Sequence, residues 1–203
     1  MVRVLGRGFD SRHLQKMDHL IWKEEGRKTV FTSPVFSVRE TYYRSPHNEV
    51  KTFTVMDAPD WAIVMPLLTT ARGDCFVMVR QWRHGAAELS LEFPGGVFER
   101  GEAPEIAAGR ELSEETAYHA GRIVSLGSCS PNPAIMANHV HFFLADELQA
   151  LPGQNLDEDE FVDVQLVPVE EVIQNMGRVP YIHALMGTAL ALYLRQKSVS
   201  WLK

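Results

Sequence analysis

Near the middle of the chain a Pro94-Gly95-Gly96 turn runs into Val-Phe-Glu-Arg-Gly-Glu102 and, after seven intervening residues, into Arg110-Glu111-Leu112-Ser113-Glu114-Glu115. Glu111, Glu114 and Glu115 stand three and four residues apart, so a helix puts them on one face. Like charges at that spacing repel by roughly a few tenths of a kcal/mol per pair. A helix under no other demand would scatter them. Carboxylates gathered on a rigid element are what a hard divalent cation such as Mg²⁺ requires. Glu111 and Glu115, one turn apart, suit an ion that takes one or a few carboxylates and keeps several waters. Hydrolysis of a phosphate anhydride needs charge neutralisation and a positioned water, so metal-assisted hydrolysis is the chemistry this arrangement points to.

At 203 residues the chain is long enough for one domain with a small N-terminal addition. Its hydrophobic content of 45% is ordinary for a globular protein with a core. The net charge of −6 argues against a general nucleic-acid binder but not against phosphate substrates, since a bound cation reverses the local field. Cys75 and Cys129, the only cysteines, form neither a metal-ligand spacing nor a disulfide framework, and Cys75 reads as a buried thiol. The N-terminal stretch lacks the apolar core of a signal peptide and no apolar run has transmembrane length, so a cytoplasmic location without membrane partners is expected.

Residues His13–Leu20 read as a short helix or a loose arm. From Thr29 the texture becomes β, with a hairpin turn at Ser45-Pro46-His47-Asn48 and a return strand over Lys51–Met56. Strands follow over Trp61–Leu68 and Cys75–Arg83, and Leu89–Phe93 leads into the Pro94-Gly95-Gly96 turn. Pro104 suits the first turn of the glutamate-bearing helix, and Ala107 and Ala108 let it pack closely on a sheet. Beyond it come strands over Arg122–Ser128, Val140–Ala145 and Phe161–Val167, a short helix over Val169–Gln174 and a longer one over Ile182–Gln196. On the last, Leu185, Ala189, Leu192 and Gln196 are assigned to one face. The sum is an α/β or α+β sandwich. His139 and His141 alternate on a strand, where packing or a substrate-loop role is a better reading than zinc.

The run from Gly96 to Glu115 matches the Nudix box, Gly-x5-Glu-x7-Arg-Glu-U-x-Glu-Glu-x-Gly-U with U apolar, at Gly96, Glu102, Arg110, Glu111, Leu112, Glu114 and Glu115. Ala117 replaces the box Gly and Tyr118 the usual aliphatic residue. That Gly closes the helix at positive φ, where Ala is disfavoured by roughly 1 kcal/mol. The resemblance implies the Nudix fold, a mixed sheet sandwiched between helices. It also implies that Glu111, Glu114 and Glu115 hold Mg²⁺ (with Mn²⁺ as a substitute), that the Gly95 carbonyl is a further ligand, and that Glu102 pairs with Arg110 to brace the loop.

Outside the box, Arg80-Gln81-Trp82-Arg83 and Leu91-Glu92-Phe93-Pro94-Gly95-Gly96 resemble segments of the ADP-ribose pyrophosphatase branch, and the likeness extends over about residues 30–195. By that likeness residues 1–56 are an arm and antiparallel β extension that dimerises, residues 57–203 are the hydrolase domain, and the protein is a homodimer. Arg80 and Arg83 are candidates to contact a diphosphate, against the plainer reading of surface arginines. Glu92 is a candidate for a ribose hydroxyl or for bracing the metal site, and Trp61 or Trp82 for stacking on a base. The base is expected from a loop beyond the box, which makes Glu158 and Glu160 the candidates, with Glu160 the better aligned. A solvated acidic loop and a box glutamate as base stay open beside it. The implied reaction is cleavage of ADP-ribose to AMP and ribose 5-phosphate. Other nucleotide-sugar or dinucleotide pyrophosphatases, or a non-catalytic nucleotide-sensing domain, are the alternatives.

Overall fold

The computed structural model describes residues 18–99 and 101–200. The arm expected over residues 13–20 lies outside them except for a single 3-10 turn at Asp18–Leu20. The chain divides into two compact units, one formed by residues up to Ala58 together with Ala134–Ala137, the other by Pro59–Pro133 and the chain from Asn138 onward.

The first unit is an antiparallel meander of β1 (Lys23–Thr32), β2 (Ser37–Arg44) and β3 (Val50–Asp57). β1 begins at Lys23 rather than near Thr29. Its first half is charged and exposed, and it is a strand because its backbone pairs with β2 from Lys23↔Arg44 onward, not because of an apolar pattern. The expected turn is closed by Asn48 N–H donating to the Ser45 carbonyl at 2.9 Å, with Asn48 at φ 67°, a conformation Asn tolerates. Trp22 and Tyr43 both meet the Phe53 ring edge-on. Residues Ala134–Ala137 join this sheet, Met56 N–H donating to Ile135 O at 2.7 Å and Ala137 N–H to Met56 O at 3.0 Å.

The second unit holds β4 (Trp61–Thr70), β5 (Gly73–Arg83), β6 (Glu88–Glu92), β7 (Gly95–Val97), α1 (Pro104–Thr116), β8 (Tyr118–Cys129), β9 (Val140–Ala150), β10 (Val162–Pro168), α2 (Val169–Asn175) and α3 (Ala184–Ser200). Its sheet runs β10-β5-β4-β9-β8, with β6 beside β5 and β7 beside β4. β4 and β9 are parallel and the other pairs antiparallel, so the sheet is mixed as expected. Strand alternation sorts the core into two layers. Ala62, Val64, Phe143 and Ala145 meet Ala107, Ala108 and Leu112 of α1. Ile63, Met65, Phe76, Met78 and Phe142 meet Met186, Ala189, Leu190 and Tyr193 of α3. Each large apolar side chain so buried contributes about 1.5–3 kcal/mol. The inward face of α3 is therefore Met186, Ala189, Leu190 and Tyr193; Leu185 and Leu192 lie at its margin and Gln196 is exposed. Cys75 is free and half-buried rather than buried, being close to the Gly73 turn that opens β5.

α1 starts with Pro104 in its first turn and ends at Ala117, which adopts φ 57°, ψ 34° and donates its N–H to Ser113 O at 3.1 Å. Ala thus occupies the left-handed position that the Gly of the motif serves. We expect Ala117→Gly to stabilise the protein by about 0.5–1 kcal/mol, raising Tm by roughly 1–4 °C without changing the helix. A thermal midpoint at or below that of the native protein would contradict this. Among the described residues no helix is long and apolar enough to cross a membrane.

Candidate active site

α1 presents its carboxylates to the start of β7 because two glycines there let the backbone come close. A Cβ on Gly95 would stand 2.2 Å from the Ala62 carbonyl oxygen, and one on Gly96 would stand 2.4 Å from Oε1 of Glu111. The Gly95 N–H donates to Oε2 of Glu115 at 2.9 Å. Glu111 and Glu115 are buried, at 8% and 3% exposure.

Burial disfavours the charged form of both carboxylates. It raises Glu111 to about 7, against the opposing pull of Arg110 and with a further push from the charges of Glu114 and Glu160. It raises Glu115 to about 8, against the Gly95 N–H and with a further push from Glu111 and Glu160.

Arg110 organises the rest. Its Nε and Nη2 donate to the two oxygens of Glu102 at 3.0 and 3.1 Å, and Nη1 donates to Glu111 and Glu114 at 2.9 Å each. Nη2 also reaches the Val97 carbonyl at 3.2 Å, so one guanidinium ties the loop to the helix. Glu114 faces this arginine. Among the described residues no three His, Cys, Asp or Glu side chains form a ready metal cluster. The oxygen donors at hand are two buried carboxylates and the backbone at Gly95. They fit a Mg²⁺-like ion, which takes one or two carboxylates and water, and do not fit zinc. The charge of a cation there would oppose the effect of burial and favour the ionised carboxylates.

The acidic loop before β10 is tied to the same helix. Asn155 N–H donates to Glu114 O at 3.0 Å, and the Gln154 side-chain amide donates to the carbonyls of Glu115 and Val162. The loop closes in a turn, Glu160 N–H donating to Asp157 O at 3.0 Å. Glu158 and Glu160 are both exposed, and the charge of Glu160 acts on both buried carboxylates.

A cleft of about 610 Å³ opens beside Gly95 and Gly96, a size suited to a small-molecule ligand. Its wall includes Trp61, Trp82, Arg83 and His183. Arg83 forms a two-pronged bond with Glu92, at 2.9 and 2.7 Å. His183 Nδ1 lies 2.6 Å from Oε2 of the same carboxylate. Burial pushes Glu92 upward, but the bonds from Arg83 and His183 outweigh it and bring its pKa to about 2. Glu92 is thus fully engaged in holding Arg83 and His183. Trp82 is half-exposed over the cleft, whereas Trp61 also packs against the core. Arg80 is off the cleft lining and bonds Gln165 at 3.3 Å.

His139 is exposed and its backbone N–H donates to Oδ1 of Asp60 at 2.7 Å, while the His141 ring lies 3.3 Å from Oδ2 of Asp60 and tilts against Phe98. Both histidines therefore belong to one packing arrangement around Asp60. Sequence reasoning missed His183, Gln154 and Asn155. Each joins the site through a contact distant in the chain, and none stands in a recognisable pattern.

Residues 58–185 match the model of the NUDIX domain. The chain is 32% identical over 159 residues to the ADP-ribose pyrophosphatase of Bacillus subtilis (strain 168), covering 78% of this chain and 84% of that protein. It is 28% identical over 182 residues to the ADP-sugar pyrophosphatase of Mus musculus, covering 81% and 78%. The fold is similar to a crystal structure of an ADP compounds hydrolase, with a TM-score of 0.77, 20% identity and coverage of 88% and 95%.

Proposed function

The chain belongs to the NUDIX family, and on that footing we propose that it hydrolyses the pyrophosphate bond of a nucleoside diphosphate joined to another moiety, ADP-ribose first, giving AMP and ribose 5-phosphate. The observation that carries this reading is the buried Glu111–Glu115 pair set against Gly95, beside a cleft whose wall holds Arg83. The relatives named as ADP-ribose and ADP-sugar pyrophosphatases support the choice of substrate.

Glu111 and Glu115, with the Gly95 carbonyl, would hold Mg²⁺, or Mn²⁺ in its place; Glu114 assists directly or through water. The ion, when bound, neutralises charge on the diphosphate and lowers the pKa of a bound water. Arg83 binds a phosphate oxygen through charge-assisted bonds, and its geometry is fixed beforehand by Glu92. Glu160 takes the proton from the attacking water, and Trp82 offers a face on which a base can stack. Arg110 and Glu102 keep the loop and helix in register. Arg80 is left to hold β5 to β10.

The same reading places the protein in the cytoplasm as a homodimer, with residues 1–56 making the subunit contact and residues 57–203 the chemistry. Exposed apolar side chains on the N-terminal sheet, among them Val30, Phe31, Val50 and Phe53, support the dimer. A monomeric mass at micromolar concentration in light scattering would contradict it. The substrate is tested by comparing kcat/KM across ADP-ribose, other nucleotide sugars, dinucleotides and nucleoside triphosphates. ADP-ribose is expected to be highest; a clear preference for another compound would keep the chemistry and move the substrate. Binding of these compounds with no turnover of any would favour a nucleotide-sensing domain.

A further inference from the structure

Cleavage of the anhydride makes no use of His183, yet the fold holds this ring on the wall of the cleft by a buried carboxylate. Both oxygens of Glu92 accept bonds from Arg83, and Oε2 also meets His183 Nδ1. An ionised carboxylate only accepts, so the shared hydrogen sits on Nδ1. That leaves Nε2 as the remaining polar atom of the ring, without a protein partner among the described residues. The wall that carries it also holds the apolar side chains of Ile182, Leu185 and Trp82. Water competes less well for a hydrogen bond in such surroundings.

The chemistry of the partner follows. The acceptor oxygens of a diphosphate already have Arg83 on this wall. A sugar hydroxyl both donates and accepts, so it can pair with Nε2 wherever the ring proton sits. The geometry points to His183 as a specificity-determining residue that reads a hydroxyl of the sugar attached to the nucleoside diphosphate, an inference that rests on the hydrolase reading above. Glu92 thereby fixes two readers at once, a cation for the diphosphate and a ring nitrogen for the sugar.

The test uses two substrates: ADP-ribose, and the methyl ester of ADP on its terminal phosphate, which keeps adenosine and the anhydride but has no second sugar. His183→Asn places an amide N–H near the position of Nδ1, so it can still bond Glu92, but it removes Nε2. The variant is expected to raise KM for ADP-ribose about 3- to 10-fold, with kcat within about twofold and the methyl ester unaffected. Equal changes on both substrates would overturn the inference, as would a native KM for ADP-ribose in His183→Asn, since a purely structural role is rescued by the amide. If the native protein hydrolyses neither compound and Glu115→Gln behaves identically, the hydrolase reading fails and this inference falls with it. If the native protein hydrolyses both, only the role of His183 is being judged.

Discussion

Glu115→Gln is expected to lower kcat by about three orders of magnitude and, in the metal-free protein at alkaline pH, to raise the thermal midpoint. The rate loss follows from removing a carboxylate that seats the cation, because metal-based charge stabilisation is worth several kcal/mol and each 1.4 kcal/mol is about tenfold. The stability gain follows from the sign of the pKa shift. Burial raises Glu115 from an ordinary 4.5 to about 8. Between those values the folded protein keeps a proton that the unfolded chain has lost, so stability falls as pH rises through this window. Above about 8 both states are ionised and the full penalty of a buried charge remains. Glutamine carries no such charge. The native protein without metal should therefore lose thermal midpoint from pH 5 to 8.5, and the variant should lose less. Added Mg²⁺ should stabilise the native protein by roughly 2.7 kcal/mol at 100 times its Kd, raising its midpoint, and leave the variant nearly unmoved. A midpoint lower in the variant than in the native protein at pH 8.5 without metal would sink the account of this carboxylate.

Glu160→Gln is expected to lower kcat by roughly 10²- to 10⁴-fold, the range for loss of a general base, with Glu158→Gln within about threefold of native. Both residues are exposed, so neither change should move stability by more than about 0.5 kcal/mol. The difference between them comes from the loop. Asn155 and Gln154 fasten its N-terminal side to the carbonyls of Glu114 and Glu115, and the turn from Asp157 to Glu160 sets the latter where its charge acts on both buried carboxylates. Near-native rates in Glu160→Gln would transfer the base to a box glutamate. A larger loss in Glu158→Gln would reverse the assignment within the loop.

What could be read from the sequence was local. The glycine turn, the glutamate spacing and Pro104 announce α1 and its chemistry because each is a short-range rule of backbone or charge. Ala107 and Ala108 announce its packing because only small side chains let a helix lie that close to a sheet. The face of α3 could not be read in the same way. Its first half is apolar nearly all round, so Leu185 and Met186 are equal candidates until Phe76 and Phe142 supply the partner surface that selects Met186. Nor could the start of β1, where charged residues are strand because β2 pairs with them.

The binding wall was the least legible. Glu92 looked free for substrate or metal, since nothing in its neighbourhood foretells a bond to His183, 91 residues away. The clasp of Gln154 on α1 spans 39 residues and is equally silent in the sequence. In both cases a residue's role is set by what the topology brings to it, and motif spacing carries no such information.

The central claim, that the Glu111–Glu115 carboxylates support pyrophosphate hydrolysis, is tested most directly by chromatographic product analysis. Purified protein would be incubated with Mg²⁺ and ADP-ribose beside the Glu115→Gln control. The account predicts AMP and ribose 5-phosphate in equal amounts, dependent on the divalent ion and lost in the control. Equal product from native protein and control, or a folded, Mg²⁺-loaded native protein that leaves ADP-ribose and every other nucleotide derivative intact, would contradict it.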